Sequence, residues 1–245
     1  MYKRQTKYFG IPASLNSKLV DGQGNPLANQ SVTYNINGVF YNKTTDANGI
    51  AKLNINLRPN TYILTCIDPL TGLDIGYNVN VLPTIVAKSI VKTYLNDTQF
   101  HATLLDEKGN PVTNTNITFN IHGVFYKKLT NESGIATLNI RLIPGEYILT
   151  AMHPNGQARA NLVKVLPPLI TSDLIKYYKN DSQFSVKVIK PDGSVAGAGE
   201  KVTFNINGVF YTRITGNDGV ATLKISLRPG NYIITSMYND YAVGN

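Results

Sequence analysis

A block of 34 residues that occurs three times constrains the fold of this chain more than any other feature. The copies begin at Val32, Ile117 and Val202, so the period is 85 residues, and no gap interrupts the block. The three copies share the same residue at 17 of the 34 positions. Because solenoid units are about 20 to 50 residues long, this period instead favours a small domain with its own core in each copy.

The pattern inside the block is typical of β-strands. Apolar and polar residues alternate at positions 32–36 and again at 51–57, as expected for strands with one buried face. Gly38 separates the first strand from a second one at 39–45, and Pro59 ends the third. A fourth strand follows the proline.

A pair of aromatic residues recurs in the second strand of the block. Phe40 and Tyr41 form this pair in the first copy, and Tyr126 and Tyr211 are the equivalent tyrosines. We predict that the three tyrosines lie mostly in the core, where they would bury the most apolar area. The alternative is that they line a contact surface.

Further strands and turns complete each repeat. Strands are predicted upstream of the blocks at residues 15–20, 100–105 and 184–189, and downstream of the first two blocks at 76–82 and 161–166. About seven short strands in each repeat, separated by glycine-rich turns, predict an all-β chain built of two-sheet antiparallel sandwiches. Short linkers that contain proline predict an elongated, semi-rigid rod.

The predicted domain boundaries follow the repeats. Repeat 1 covers residues 1–84, repeat 2 covers 85–169, and repeat 3 covers 170–245. Residues 1–5, MYKRQ, resemble translated sequencing-adaptor sequence, and our hypothesis is that they are artefactual. Asn245 falls where the last strand of repeat 3 is expected to begin, so we expect a fragment of a longer protein with a truncated third repeat.

Charge and cysteine content limit the classes of function. The net charge is +8, but no run of five basic residues exists and tryptophan is absent, so we expect no nucleic-acid partner. The single cysteine, Cys66, is replaced by Ala151 and Ser236 in the other copies, which predicts a small inward-facing position. The chain cannot form an internal disulfide, and packing and strand pairing must hold each domain.

Two local motifs are predicted to be structural. A proline, a short loop and a tyrosine have the form of a tyrosine corner, in which the phenol binds upstream main chain. These tyrosines are Tyr62, Tyr147 and Tyr232. The turn before the third strand keeps one glycine in every copy, as a positive φ would require. These glycines are Gly49, Gly134 and Gly219.

The same turn offers side-chain oxygens that could bind Ca²⁺, beginning with Asp46. The other copies keep the glycine but rearrange the oxygen-bearing residues, so a plain turn is favoured and no metal is expected. The three histidines, His101, His122 and His153, all fall in repeat 2, and we predict surface positions, with a metal site in this one repeat as the alternative. Without a catalytic or cofactor-binding motif, we expect neither enzyme activity nor a cofactor.

Six Asn-x-Ser/Thr sequons are candidate N-glycosylation sites if the protein is exported, although their number alone is a weak signal in an asparagine-rich chain. They are Asn29, Asn42, Asn96, Asn116, Asn131 and Asn180.

The segments NGVFY, TDANGIAKLNINL and RPGNYIIT together resemble the Ig-like repeats of adhesin-like surface proteins of methanogenic archaea. The resemblance covers the chain from about Thr6. It implies Ig-like domains at the extracellular cell surface and no catalytic residues. The implied partners are cell-surface glycans or proteins of neighbouring cells and neighbouring repeats of the same chain, with membrane or wall attachment only through segments outside this fragment.

A looser similarity links the repeats to Cna-B and transthyretin-like modules, which often carry a Lys–Asn isopeptide bond promoted by a glutamate. Lys7, Lys92 and Lys176 recur near the domain starts. The position four residues after each corner tyrosine carries no carboxylate, so we expect no such bond. Our first hypothesis is a non-catalytic adhesin or stalk fragment that spaces or mediates attachment. The alternative is a set of glycan-binding accessory modules of a larger secreted enzyme, which would adjoin a catalytic domain.

Overall fold

The computed structural model describes residues 3–245, and every regular element in that range is a β-strand. The strands of repeat 1 are β1 (Lys3–Tyr8), β2 (Ala13–Lys18), β3 (Ser31–Ile36), β4 (Val39–Thr44), β5 (Ile50–Ile55), β6 (Asn60–Ile67) and β7 (Asp74–Leu82). Those of repeat 2 are β8 (Ile85–Ala87), β9 (Ile90–Thr93), β10 (Gln99–Leu104), β11 (Asn116–Ile121), β12 (Val124–Leu129), β13 (Ile135–Asn139), β14 (Gly145–Met152) and β15 (Ala158–Leu166). Those of repeat 3 are β16 (Leu169–Thr171), β17 (Gln183–Val188), β18 (Lys201–Ile206), β19 (Val209–Ile214), β20 (Val220–Lys224), β21 (Ile234–Tyr238) and β22 (Tyr241–Gly244).

Each repeat folds into two sheets. The larger sheets have the strand orders β1-β7-β6-β3-β4, β12-β11-β14-β15-β9 and β19-β18-β21-β22, and the smaller ones are β2-β5, β13-β10-β8 and β16-β17-β20. The alternating inward residues of the two sheets form a separate core in each repeat. The prediction of an all-β chain with three tandem Ig-like β-sandwich domains is confirmed.

The strand pairing differs from the prediction in one respect. The first strand of the larger sheet pairs parallel to the last strand of the same repeat, as β1 with β7 and β9 with β15, although a purely antiparallel sandwich was expected. Alternation shows which residues of a strand face inward but not which strand lies beside it. The three-residue strands β8 and β16 were also missed, because three residues are too few to show a period.

The largest buried side chains are equivalent in the three cores. Tyr34, Phe119 and Phe204 are fully buried at the same repeat position. In repeats 2 and 3 this phenylalanine meets a second one edge-on, with Phe100 and Phe119 5.8 Å apart and Phe184 and Phe204 5.9 Å apart. The Tyr34 hydroxyl instead donates a hydrogen bond to the Ala51 carbonyl at 3.1 Å. Repeat 1 thus replaces a pair of aromatic rings by one ring with a satisfied polar atom.

The lysines near the domain starts bind main chain. Lys7 donates to the Ile55 carbonyl at 2.8 Å, Lys92 to the Ile140 carbonyl at 2.8 Å, and Lys176 to the Ile225 carbonyl at 2.9 Å. Burial lowers the pKa of Lys7 and of Lys92. Since Lys7 belongs to the larger sheet and Ile55 to the smaller one, this lysine ties the two sheets together at their edge.

The start of the chain lies partly within the fold. Residues 3–5 belong to β1 and pair with residues 77–79 of β7, while residues 1 and 2 of the supposed artefact lie outside the described residues. Within residues 3–245 no helix is long and apolar enough to cross a membrane. The hypothesis that residues 1–5 are foreign remains a prediction.

Neighbouring repeats touch at both junctions. A Cβ on Gly109 of repeat 2 would lie 2.5 Å from the Tyr8 ring of repeat 1, so the glycine allows this contact. Asn96 of repeat 2 donates to the Pro191 carbonyl of repeat 3 at 2.7 Å. The rings of Tyr94 and Tyr241 lie 5.8 Å apart across the same junction.

Candidate functional site

The hairpin at the start of the block fixes which side chains face outward. Asn37 and Gly38 have φ values of 51° and 77°, which is the pattern of a two-residue type I′ turn. Equivalent turns occur at His122-Gly123 and Asn207-Gly208. A two-residue turn sets the register, so Asn35 pairs with Phe40 and Tyr34 with Tyr41. Because Tyr34 points into the core, Asn35 and Phe40 must point to the outer face of the sheet.

The prediction that Tyr41, Tyr126 and Tyr211 lie mostly in the core is wrong for the first two, and Tyr211 is only partly buried. The phenylalanines beside them are more exposed still. Phe40 is 62% exposed, Phe125 65% and Phe210 63%. The tyrosines beside them have inward parity but lie on an edge strand, and Tyr41 and Tyr126 stay about 40% exposed. The two-residue turn was visible in the sequence, and the register that follows from it could have revealed the outward phenylalanine.

A row of three side chains crosses the outer face of each larger sheet. In repeat 1, Phe40 on β4 pairs with Asn35 on β3, and Asn35 pairs with Thr65 on β6. The same pairing produces the rows of the other repeats, Phe125–Asn120–Thr150 and Phe210–Asn205–Thr235. We call this set the Phe–Asn–Thr row. The asparagines and threonines are partly exposed in all three repeats.

The surroundings of the row are repeated as well. Thr33 and Ile63 lie on the same outer face, and Ile63 and its equivalents Ile148 and Ile233 are 65%, 60% and 75% exposed. All five outward positions carry identical residues in the three copies, whereas the outward position after the phenylalanine is Asn42, Lys127 or Thr212. Exposed side chains contribute little to core packing, so packing does not account for this identity.

The row combines three kinds of contact group. The phenylalanine offers an apolar ring face, the asparagine an amide, and the threonine a hydroxyl that donates and accepts. The Asn35 side-chain oxygen accepts the Gly38 N–H at 3.1 Å, and in repeat 3 the Asn205 oxygen accepts the Gly208 N–H at 3.3 Å. In repeats 1 and 3 the turn therefore orients the amide, and its NH₂ group remains available to a ligand.

The strand that carries the phenylalanine also lies at the edge of the larger sheet. All six residues of β4 and of β12 are exposed, and each strand pairs with a neighbour on one side only. Its free edge presents main-chain donors and acceptors next to the aromatic ring. The row is therefore an exposed, partly apolar surface at the edge of the sheet.

The predicted tyrosine corners lie away from the row. The tyrosine hydroxyls donate to the carbonyl four residues upstream, from Tyr62 to Arg58 at 2.8 Å, from Tyr147 to Ile143 at 2.9 Å and from Tyr232 to Arg228 at 2.8 Å. Tyr62 is buried, whereas the other two rings are partly exposed. These hydrogen bonds join the two sheets at the crossover.

The turn glycines lie against the main chain of the segment that precedes each block. Gly49, Gly134 and Gly219 have φ values of 71°, 70° and 69°, and a Cβ would lie 2.4, 2.9 and 2.2 Å from a carbonyl oxygen. The Asp46 carboxylate accepts the N–H groups of Asn48 and Ile50 at 2.8 and 2.9 Å. Turn geometry alone thus explains why each copy keeps the glycine and why an oxygen-bearing side chain such as Asp46 occurs in the turn. No group of three or more His, Cys, Asp or Glu suited to a metal occurs within residues 3–245.

Five of the six candidate glycosylation sites are exposed, and Asn96 is partly buried. The Asn96 amide is engaged at the junction between repeats 2 and 3, whereas the Asn42 oxygen accepts a hydrogen bond from Thr33 on the outer face at 2.8 Å. A glycan on Asn42 would therefore stand beside the row of repeat 1.

One histidine departs from the expected surface position. His153 is partly buried; its Nε2 lies 3.1 Å from the Leu105 carbonyl, and its Nδ1 accepts the Asn155 N–H at 3.0 Å. Burial lowers the pKa of His153, which favours the neutral ring that these two bonds require. Cys66 is buried as expected, and burial raises the pKa of its thiol.

Comparison with known proteins gives limited similarity. Residues 3–66, within repeat 1, match the family model described as macroglobulin domain MG4. No curated protein matches the chain. Solved structures with similarity include Bacteroides ovatus SGBP-B of a mixed-linkage glucan utilization locus in complex with a heptasaccharide, at 14% identity and a TM-score of 0.26. They also include the bacterial integrin-binding protein invasin (16%, 0.31) and trypsin-activated alpha-2-macroglobulin from Escherichia coli (11%, 0.36).

The aligned region covers nearly all of this chain but only part of each relative. It includes 99%, 98% and 98% of this chain, and 62%, 56% and 23% of the three proteins in the same order. With TM-scores this low, the similarities bear on neither the site nor its ligand.

Proposed function

We propose that this chain is a non-catalytic, adhesin-like protein of the extracellular cell surface, whose Ig-like repeats each present the Phe–Asn–Thr row as a weak binding site. The observation that carries the proposal is the row itself, because its residues are identical in the three repeats, whereas the outward position after the phenylalanine is Asn42, Lys127 or Thr212. Weak sites joined in one chain gain avidity through their effective concentration. The repeats would both space an attachment site from the cell and contribute to attachment.

A cell-surface glycan is the ligand class that we favour. An exposed aromatic ring can stack on the apolar face of a sugar ring, while the neighbouring amide and hydroxyl can bind its hydroxyl groups. A protein of a neighbouring cell is the alternative partner. The archaeal source and the attachment of the protein to a wall or membrane remain part of this proposal and rest on the resemblance to adhesin-like repeats.

The runner-up is a set of glycan-binding accessory modules attached to a secreted enzyme. The same row would serve that role, so the two functions differ in the flanking sequence. Further copies at the 85-residue period would support the adhesin, and an adjoining catalytic domain would support the accessory module.

The test is binding of the fluorescently labelled chain to whole microbial cells and to insoluble cell-wall polysaccharides, at about 0.05 M and about 0.5 M salt. At the higher salt the Debye length is only about 4 Å, so binding due to the positive charge alone would be lost. We expect saturable binding that persists. Binding that disappears would leave these repeats as spacers with a basic surface.

A triple variant locates the site. Phe40→Ser, Phe125→Ser and Phe210→Ser together should reduce binding at least tenfold, because three linked sites are weakened at once. The matched control is Val39→Thr with Val124→Thr and Val209→Thr, since these valines are about 50% exposed in the same strands but do not belong to the row. Equal binding by the two triple variants would exclude the row as the binding site.

A further inference from the structure

The junction between repeats 1 and 2 contains a groove of about 500 Å³. Repeat 1 forms one side of it with residues 58–61 and the end of β7, and repeat 2 forms the other side with the start of β15. Ligand pockets of proteins commonly have volumes of about 300 to 1,000 Å³, so the groove has room for a small ligand or for a segment of a longer one.

Two arginines from different repeats line this groove. Arg58 belongs to repeat 1 and Arg159 to repeat 2, and both are exposed. Within residues 3–245, neither guanidinium forms an ion pair, and no acidic residue lines the groove. A guanidinium group binds a carboxylate or another oxyanion through two parallel hydrogen bonds. The groove thus carries two positive charges that no carboxylate of the described chain neutralises.

Three side-chain amides add neutral donors to the groove. The Asn60 oxygen accepts the Thr61 N–H at 2.8 Å, and the Asn80 oxygen accepts the Thr61 hydroxyl at 3.2 Å. The Gln157 oxygen accepts both the N–H and the hydroxyl of Thr84 at 2.6 Å, and Gln157 is only 8% exposed. Since the protein itself engages each of these oxygens, the amides present their NH₂ groups to a ligand.

The junction between repeats 2 and 3 lacks this arrangement of donors. The two arginines are replaced there by Ile143 and Val243. The outward polar pair of β6 and β7 is replaced by Glu146 and Lys164, which neutralise each other in a salt bridge of 2.8 Å. Because a repeat folds and joins its neighbour without these donors, they are not needed to maintain the junction.

The groove opens beside the outer face of repeat 1. Thr61, Ile63 and Thr65 are successive outward residues of β6, and Thr65 belongs to the Phe–Asn–Thr row. At about 3.3 Å per residue, the edge of the groove lies about 13 Å from the row. One extended polymer can therefore contact both.

We propose that the groove between repeats 1 and 2 binds an acidic glycan through its carboxylate or sulfate groups. The guanidiniums of Arg58 and Arg159 pair with the acidic groups, and the three amides donate to neighbouring oxygens of the sugar rings. The choice of a glycan rests on the function proposed for the row, whereas the requirement for an anion follows from the groove alone.

The probes are polygalacturonate, which carries carboxylates, dextran sulfate, which carries sulfates, and uncharged dextran. At about 0.15 M salt, where the Debye length is about 8 Å, at least one of the two acidic polymers should bind the full chain saturably. In NMR spectra of the isotope-labelled chain, that polymer should shift the side-chain NH₂ signals of Asn60, Asn80 and Gln157, and dextran should not. The polymer that causes the shifts identifies the acidic group. Shifts with neither acidic polymer would overturn the proposal by their absence.

A pair of double variants separates the groove from the overall charge. Arg58→Gln with Arg159→Gln should weaken binding by about tenfold or more, because charge-assisted hydrogen bonds are lost. The matched control, Lys18→Gln with Lys52→Gln, removes the same charge from exposed positions of β2 and β5. It should change the affinity by less than about twofold, since salt screens exposed charges away from the site. Equal losses in the two double variants would refute the site.

Two further measurements test the class of ligand and the independence of the groove. Polyglutamate that binds as tightly and shifts the same amide signals would identify an acidic protein segment and overturn the assignment to a glycan. The chain with Phe40→Ser, Phe125→Ser and Phe210→Ser should keep the amide shifts, and their loss would place the bound anion at the row instead. Failure of the row to bind neutral polysaccharide would leave the groove in place, and failure of the amide shifts would leave the row in place, so the two results are distinguishable.

Discussion

Replacing Gly219 by alanine tests why the turn glycine is retained. Gly219 has a φ of 69°, and an added Cβ would lie 2.2 Å from the Ala196 carbonyl oxygen and 2.7 Å from a methyl group of Val195. The carbonyl belongs to main chain and cannot rotate away. Gly219 also accepts the Val188 N–H at 2.9 Å, so a shift of the turn disturbs the smaller sheet.

A matched control separates backbone conformation from close approach. Gly208 has a φ of 80°, and a Cβ there meets no atom within 4 Å. Left-handed backbone costs alanine about 1 to 2 kcal/mol, partly offset by about 0.4 to 1 kcal/mol from the restricted unfolded chain. Gly208→Ala should therefore lose about 1 kcal/mol of unfolding free energy. Gly219→Ala adds about 1 to 3 kcal/mol of overpacking, for a total of about 3 kcal/mol.

Hydrogen exchange measured by mass spectrometry resolves this difference repeat by repeat. Peptides that cover β20 should exchange about fivefold faster in Gly208→Ala and more than a hundredfold faster in Gly219→Ala, because about 1.4 kcal/mol corresponds to a factor of ten. Repeats 1 and 2 should be unchanged. Equal acceleration by the two variants would refute the close-approach argument. A selective loss that Ca²⁺ reverses would instead indicate a calcium site in the turn.

Three other predictions concern individual features of the repeats. Tyr62→Phe should cost about 1 to 2 kcal/mol in urea unfolding because it removes the buried hydroxyl, and Tyr147→Phe should cost less because that ring is more exposed; equal losses would contradict the corner argument. The pKa of His153 is lowered by burial, so the folded state binds fewer protons than the unfolded state below the ordinary value of 6.5. Repeat 2 should therefore lose stability as the pH falls below about 6.5, and a His153→Gln variant should not show this loss. Residues 145–148 pair with β15, whereas residues 230–233 belong to no strand, so in the 245-residue chain residues 230–233 should exchange faster; equal protection of the two segments would contradict this expectation.

Much of the fold was predictable because its strands alternate strictly. The alternation at 51–57 placed β5, and the corner motif placed β6 after Pro59. Pairing between distant strands was not predictable. β1 and β7 lie about 70 residues apart, and the alternation in each strand shows which residues face inward but not which strand lies beside it.

Only part of the candidate site could be predicted from the sequence. The identity of Asn35, Phe40 and Thr65 across the copies is plain in the sequence. Their adjacency is not, because they come from three strands joined by the ladder of β4, β3 and β6. The outward direction of Phe40 follows from the register that the two-residue turn imposes on β3 and β4.

The parallel pairing of first and last strands has a consequence for a chain under tension. β1 opens repeat 1 and β7 closes it, and they run side by side over six residue pairs. A pull that draws the start of β1 away from the end of β7 acts along both strands, so the hydrogen bonds between them bear the load together rather than opening in turn. Repeat 2 has the same clamp in β9 and β15, over four pairs. Repeats 1 and 2 should therefore resist a pull along the chain until several of these hydrogen bonds break together.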